Sequence, residues 1–124
     1  MIKWVSILIV ISLIFFFITS RQNEGYRSID PAEAKAKLKD KKVILLDVRT
    51  TEEYKEKHIS QSVLIPLDEL QGKIEKSIPN KDQEIIIYCR SGNRSKTAST
   101  MLLKMGYENV YDLGGIIDWP YGVE

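Results

Sequence analysis

The apolar positions of this chain follow two different spacings along the sequence. Four short segments are predicted to be strands, and they are residues 43–46, 62–65, 84–88 and 109–113. The third of these holds three isoleucines and a tyrosine in succession, which is typical of a strand buried on both faces of a parallel sheet. Four other segments repeat apolar side chains at helical spacing, and they are residues 30–40, 51–57, 67–74 and 97–105. The alternation predicts an α/β fold, a small parallel sheet with helices on both faces, preceded by an N-terminal apolar helix.

Local signals mark where several of these elements begin and end. Asp30 can cap the first helix of the sheet region, with Pro31 in its first turn and Glu33 placed to return the bond as in a capping box. Gly106 is a typical C-terminal stop for the last helix. Residues 114–115 are two glycines, and they predict a tight turn after the last strand.

An almost wholly apolar stretch, residues 2–19, precedes the sheet region, with Lys3 near its start and Arg21 just after it. It can be a secretory signal or a membrane anchor, since a helix crosses a bilayer with about 20 apolar residues and with no fewer than about 17. Residues 18–20 fit the small-residue rule for signal cleavage poorly, which favours an uncleaved anchor. Either alternative predicts export of the remainder of the chain.

The chain therefore divides into three predicted parts. Residues 1–20 form a membrane anchor or signal segment, residues 21–27 a linker, and residues 28–124 one domain. We expect a monomer that contacts the membrane through residues 2–19. The expected location is the cell membrane, with a single-pass anchor and the domain on the extracytoplasmic side, or secreted if the leader is cleaved.

Composition excludes several classes of function. The formal net charge is +1 and no basic stripe with interleaved aromatic residues occurs, so nucleic acid is not an expected partner. A single cysteine excludes an internal disulfide framework and any zinc site built from several cysteines. His58, the only histidine, has no neighbours at metal-ligand or triad spacing, and we interpret it as a structural residue. No metal and no cofactor are expected.

The single cysteine, Cys89, stands between a predicted strand and a predicted helix. A helix N-terminus favours an anion, through its free N–H groups and its partial positive charge, and a thiolate is such an anion. Gly92 allows a tight curl of the backbone, whose successive N–H groups can form an anion-binding nest. The alternative is a small cysteine packed in the core. The polar residues and two arginines that follow it favour a reactive thiol.

The segment that begins at this cysteine has the motif of a known family. Its residues are Cys89, Arg90, Ser91, Gly92, Asn93, Arg94 and Ser95, and we call them the cysteine loop. This loop resembles the active-site loop of rhodanese-like sulfurtransferases. Other segments that resemble motifs of that family are residues 47–49, 53–54, 58–59 and 113–115, together with Trp119. The resemblance covers residues 28–123.

The resemblance is weaker in one connecting segment. Where the family usually has a glycine before the histidine, this chain has Lys57. Where the family usually has a Pro-Gly-Ala run after the isoleucine, it has Ser60, Gln61 and Ser62. The departure therefore concerns the geometry of this connection.

The resemblance implies a sulfurtransferase that uses a persulfide on Cys89 as its covalent intermediate. The cysteine would be the nucleophile, attacking the outer sulfur of an anionic donor such as thiosulfate. The N–H groups of residues 90–95 would hold the terminal sulfur, and the side chains of Arg90 and Arg94 would attract the donor. The acceptor would be cyanide in an assay and a thiol, possibly on a protein, in the cell.

Two charged residues follow the second predicted strand. Asp47 and Arg49 lie at its carboxyl end, where ligand-facing residues collect in open α/β sheets, so both can approach the cysteine loop. The alternative is a structural ion pair that supports the site, and the resemblance favours this alternative.

Two other functions remain open. One is an exported sulfide-binding or redox-relay module that docks a partner protein and turns over poorly by itself. The other is phosphate chemistry, because cysteine-dependent phosphatases have a similar architecture. They place five residues between cysteine and arginine, whereas four lie between Cys89 and Arg94 here and the next position is Ser95. The shorter loop favours a single sulfur atom over a phosphoryl group.

Overall fold

The structure is a computed structural model, and it describes residues 2–22 and 25–124. Its sheet has five strands, and they are β1 (Arg27–Ser28), β2 (Ile44–Asp47), β3 (Val63–Leu64), β4 (Ile85–Cys89) and β5 (Val110–Gly115). Their order across the sheet is β1-β5-β4-β2-β3, and every neighbouring pair is parallel. The predicted strand of the cysteine is therefore the central one, and all five of its residues are buried.

The described part of the chain also contains helices before, between and after these strands. They are α1 (Ile2–Gln22), α2 (Pro31–Lys37), α3 (Thr51–Glu56), α4 (Leu67–Ser77), α5 (Asn93–Lys104) and a 3-10 helix (Ile116–Asp118). The predicted fold class, an α/β domain with a parallel sheet, is confirmed. A parallel connection needs a crossover, and the helices between the strands provide it.

Two hydrophobic cores lie on the two faces of the sheet, because successive side chains of a strand point in opposite directions. Ile85, Ile87 and Cys89 of β4 belong to the core that α4 and α5 cover. Ile86 and Tyr88 belong to the core that includes residues of α2. The cysteine therefore emerges at the end of the central strand on the face covered by α5.

The caps of α2 and α3 show how local sequence fixes helix starts. Asp30 caps α2 as predicted, since the N–H of Glu33 donates to Asp30 Oδ1 at 2.8 Å and Pro31 occupies the first turn, but the Glu33 side chain does not return the bond. A complete capping box occurs at α3, where Glu53 N–H donates to Thr50 Oγ1 at 3.2 Å and Thr50 N–H donates to Glu53 Oε1 at 3.3 Å. This second cap fixes the position of Glu53.

The predicted tight turn at residues 114–115 is wrong. Both glycines belong to β5, which pairs with β4 as far as Gly115 opposite Cys89. The register shifts between Ile87 and Tyr88, and Gly114 has a φ of 90°. A glycine tolerates this angle, so the strand bulges and continues to the end of β4.

Two backbone features lie in segments whose structure the sequence pattern did not predict. β1 pairs with β5 at the sheet edge and overlaps the predicted linker, of which residues 23 and 24 lie outside the described residues. Gln61 has a φ of 70°, a left-handed angle that side-chain-bearing residues adopt at a cost. The predicted boundaries of the anchor, linker and domain stay predictions.

The predicted membrane-spanning helix is not supported. α1 is present, but no helix among the described residues is long and apolar enough to cross a membrane.

Candidate active site

Cys89 is the last residue of the central strand, and α5 begins four positions later at Asn93. The predicted strand-to-helix turn is therefore present, although the helix begins earlier than its apolar spacing predicted. The cysteine is 1% exposed, and it is a free thiol.

The cysteine loop curls around the sulfur. The N–H of Gly92 donates to Cys89 Sγ at 3.0 Å. Gly92 reaches this position with a φ of 110°, an angle that a residue without a Cβ adopts readily. This residue is also the N-cap of α5, so the sulfur lies at the N-terminus of a 12-residue helix. A backbone donor and the helix end together favour negative charge on the sulfur.

The first turn of α5 is tied back to the same loop. Ser95 is fully buried, and its Oγ donates to the carbonyl oxygen of Gly92 at 3.0 Å. The N–H of Lys96 donates to that oxygen at 3.2 Å. Three other residues of the loop are exposed, and they are Arg90, Ser91 and Asn93. The structure therefore brings the predicted loop residues together, with Ser95 holding the backbone and Arg90 facing solvent.

Gly115 is a site residue that the sequence analysis missed. A Cβ at this position would overlap the carbonyl oxygen of Arg90 and lie 2.8 Å from Ser91 Cα. The same carbonyl accepts a hydrogen bond from the N–H of Ile117 at 3.3 Å. The loop therefore packs against β5 so closely that only glycine fits. The motif at residues 113–115 carried the signal, but spacing alone did not indicate a contact.

Arg94 makes a bidentate ion pair with Glu53 of α3, a second residue that the sequence analysis did not place in the site. The distances are 2.6 Å from Nη1 to Oε1 and 2.9 Å from Nη2 to Oε2. Hydrogen bonding to Arg94 lowers the pKa of Glu53 from its ordinary value of 4.5 to about 2. The same bonds raise the pKa of Arg94. Both groups are therefore charged at neutral pH, and each neutralises the other.

Asp47 and Arg49 form the structural ion pair that the sequence analysis favoured. Both are buried, and Arg49 Nη2 lies 2.7 Å from Asp47 Oδ2. Arg49 Nε also donates to that oxygen at 3.0 Å, and Nη2 donates to the carbonyl oxygen of Lys57 at 2.8 Å. The pair thus fixes the end of β2 against the segment that follows α3. The carboxylate of Asp47 accepts hydrogen bonds from the side chain and from the backbone N–H of Arg49.

His58 has the contacts of a structural residue. Its ring stacks on Tyr54 with a centroid distance of 3.9 Å and an angle of 5°. Its Nδ1 lies 2.9 Å from the carbonyl oxygen of Tyr54. Among the described residues no cluster of three or more His, Cys, Asp and Glu side chains could hold a metal ion.

Two clefts border the cysteine loop, and they separate its two arginines. The smaller, of about 220 Å³, is lined by the basic residues Arg90 and Lys57 and by the acidic residues Glu53 and Glu56, among other residues. The larger lies between α4 and α5 and is lined by Arg94 together with Leu67, among other residues. Arg90 and Arg94 therefore line different clefts, although Glu53, the partner of Arg94, also lines the cleft of Arg90.

The geometry agrees with comparisons to known proteins. The chain is 36% identical over 73 residues to thiosulfate sulfurtransferase PspE of Escherichia coli, covering 59% of this chain and 70% of that one. It is 30% identical to thiosulfate sulfurtransferase GlpE of Coxiella burnetii, covering 76% and 87% of the two chains. Other curated relatives are longer, and the chain spans 65% and 27% of two of them.

Solved structures have the same fold. The crystal structure of a rhodanese-related protein from Thermoplasma volcanium superposes with a TM-score of 0.68 at 34% identity, covering 80% of this chain and 98% of that one. The family model of the rhodanese-like domain matches residues 30–120, a range that includes the cysteine loop and both of its partners, Glu53 and Gly115. This chain belongs to the rhodanese-like domain family.

Proposed function

We propose that this protein is a rhodanese-type sulfurtransferase that moves a sulfane sulfur from an anionic donor such as thiosulfate to a thiol. The observation that carries the proposal is the hydrogen bond from Gly92 N–H to Cys89 Sγ inside a short loop at a helix N-terminus. The relatives named thiosulfate sulfurtransferase support the same reaction.

In the first step, the Cys89 thiolate attacks the outer sulfur of thiosulfate. A new S–S bond forms, the S–S bond of thiosulfate breaks, and sulfite leaves with the electron pair. The products are a cysteine persulfide with a terminal sulfur anion and sulfite, so charge is conserved. No separate general base is needed, because the thiolate already carries the lone pair.

In the second step, an acceptor thiolate attacks the terminal sulfur of the persulfide. The S–S bond on Cys89 breaks, the acceptor becomes a persulfide, and the cysteine thiolate is regenerated. Cyanide as acceptor gives thiocyanate, which provides an assay. The step uses the terminal sulfur as electrophile, so the loop must hold this atom in a fixed position.

The cysteine loop supplies that position in our proposal. Gly92 already directs its N–H to the sulfur of the resting thiol, and the neighbouring N–H groups of residues 90–95 would surround the terminal sulfur. Preorganised donors aimed at a developing charge lower the barrier without reorganising during the reaction. Arg90, exposed at the cleft, would attract the anionic donor.

The experiment that tests this function is the intact mass of the protein after incubation with thiosulfate, followed by thiocyanate release on adding cyanide. We expect the mass to rise by one sulfur atom and to return after cyanide. Cys89→Ser is the matched control, and it should show neither change. A protein that gains no sulfur would refute the function. A gain of sulfur without turnover would indicate the binding or relay module.

We also propose that α1 keeps the domain at the outer side of the cytoplasmic membrane. Support comes from its described side chains, since Trp4, Leu8 and Leu13 are each more than 60% exposed and apolar. Protease added to intact spheroplasts should digest the domain together with a known external protein. Survival of the domain under those conditions would contradict the placement, and release by washing would indicate a secreted form.

A further inference from the structure

The two arginines of the cysteine loop differ in exposure and in partners. Arg90 is exposed and has no ion pair among the described residues, and it lines the smaller cleft together with Lys57, Glu53 and Glu56. The side chain of Arg94 is 33% exposed, and its guanidinium is engaged by Glu53 through two hydrogen bonds. A planar guanidinium that binds a carboxylate in this way directs its matching pair of donors at that carboxylate. The pairing therefore uses two of the five N–H donors of Arg94 and offsets its charge, which weakens its attraction for a second anion.

Glu53 is itself held in place. Its Oε1, which accepts from Arg94, also accepts from Thr50 Oγ1 at 3.1 Å and from Thr50 N–H at 3.3 Å. These bonds belong to the capping box of α3, so the carboxylate has a fixed position at the start of that helix. An incoming donor would have to break the ion pair, and disturb the cap as well, before Arg94 could receive it.

We propose that Glu53 and Arg94 are positioning residues that fix the cysteine loop to α3, whereas Arg90 alone of the loop's arginines supplies the charge that attracts the donor. This division of roles rests on the proposed sulfurtransferase function. Glu53 then has the role of holding Arg94, and the two arginines of the cysteine loop have different roles.

The contacts explain how the ion pair would act on the sulfur. Arg94 is the second residue of α5, and the first turn of that helix is bonded to the carbonyl oxygen of Gly92 by Ser95 and Lys96. The N–H of Gly92 is the donor to Cys89 Sγ. Fixing Arg94 to α3 therefore fixes the turn that aims this N–H. Displacement of the Gly92 N–H from the sulfur slows the chemical step, because a misplacement of about 1 Å can cost on the order of a hundredfold in rate.

The proposal predicts a separation of kinetic parameters. Arg90→Gln should raise the KM for thiosulfate several-fold, leave kcat nearly unchanged and weaken the dependence of kcat/KM on ionic strength, because screened attraction to the donor is lost. Glu53→Gln should lower kcat about tenfold, while the KM stays equal or falls, because the released Arg94 adds positive charge. Partial unfolding would also lower the apparent kcat at an unchanged KM, so kcat is expressed per folded protein, and a fall in KM beside it marks the released charge of Arg94.

Two further variants test the role of Arg94. Arg94→Lys keeps the charge but cannot form the bidentate pair, so it should lower kcat as Arg94→Gln does. The double variant Glu53→Gln/Arg94→Gln should be no slower than Arg94→Gln, because partners in one interaction have non-additive effects. Glu52→Gln is the matched control. It is an exposed neighbour in the first turn of α3, and its kinetics should equal those of the unchanged protein.

The outcomes distinguish this inference from the function on which it rests. Thermal unfolding of every variant, measured beside its kinetics, identifies any loss of activity that comes from loss of the fold. If the unchanged protein transfers sulfur but Arg94→Gln raises the KM as Arg90→Gln does, and Arg94→Lys restores it, Arg94 binds the donor and the division of roles is wrong. If the unchanged protein transfers no sulfur, the proposed function itself fails.

Discussion

The α-carbon of Gly115 lies so close to the carbonyl oxygen of Arg90 that no side chain fits at position 115. The contact joins the end of β5 to the first residue after the cysteine. The carbonyl oxygen of Arg90 also accepts a hydrogen bond from Ile117 N–H. The shape of the site therefore depends on a strand that contributes no reactive side chain.

Gly115→Ala should displace the cysteine loop and suppress sulfur transfer by on the order of a hundredfold. The overlap should also cost about 1–3 kcal/mol of stability, since inserting a methyl group into a packed region forces backbone shifts. Thiocyanate formation and urea unfolding measure the two effects. Gly72→Ala is the control, because nothing lies within 4 Å of its Cβ in α4. It should retain full activity, and full activity in Gly115→Ala would show that the close contact is not needed.

The ion pair between Glu53 and Arg94 should make stability depend on acidity. The pKa of Glu53 falls from 4.5 to about 2 on folding, so its contribution is complete above pH 4.5 and is lost as the pH falls towards 2. The pair is partly exposed, which limits the contribution to about 1 kcal/mol. Urea unfolding at pH 6 and pH 2.5 should show that the difference between the unchanged protein and Glu53→Gln shrinks at low pH. An equal difference at both values would contradict the assignment.

Loop length should decide between sulfur and phosphate chemistry. Insertion of one glycine after Gly92 should suppress sulfur transfer, because it widens the loop and moves the N–H groups away from the persulfide. The unchanged protein should leave aryl phosphates and arsenate untouched, since only four residues lie between Cys89 and Arg94 and we expect the smaller ring to exclude three phosphoryl oxygens. Thiocyanate and phenol release measure both activities. Hydrolysis of aryl phosphates that depends on Cys89 and exceeds sulfur transfer would overturn the proposed function.

The buried pair of Asp47 and Arg49 should be sensitive to removal of one partner. Asp47→Ala leaves the guanidinium buried without its carboxylate, and breaking such a pair costs about 3–5 kcal/mol. Glu69→Ala is the comparison, because its pair with Lys73 is exposed and such helix pairs contribute about 0.3–0.5 kcal/mol. Urea unfolding of both variants gives the difference. An equal loss of unfolding free energy in the two variants would mean that burial of the Asp47–Arg49 pair does not increase the cost of breaking it.

Sequence reasoning succeeded where the determinants are local. The strand before Cys89 was predicted because its isoleucines follow one another, and the cap at Asp30 because its partner is three residues away. It failed for contacts between distant segments. Glu53 and Arg94 are 41 positions apart, and the pairing of β4 with β5 decides where Gly115 lies. The two-residue strand β1 escaped notice because Arg27 and Ser28 show no apolar pattern.

The left-handed backbone at Gln61 lowers the free energy of unfolding of this protein, and a substitution at this position can recover the loss. Glycine adopts such an angle without steric cost. A side chain there costs about 1–2 kcal/mol. Gln61→Gly should therefore raise the urea midpoint while sulfur transfer stays unchanged. Gln61 is also polar and exposed, so a substitution there can raise the stability of the protein without changing either hydrophobic core.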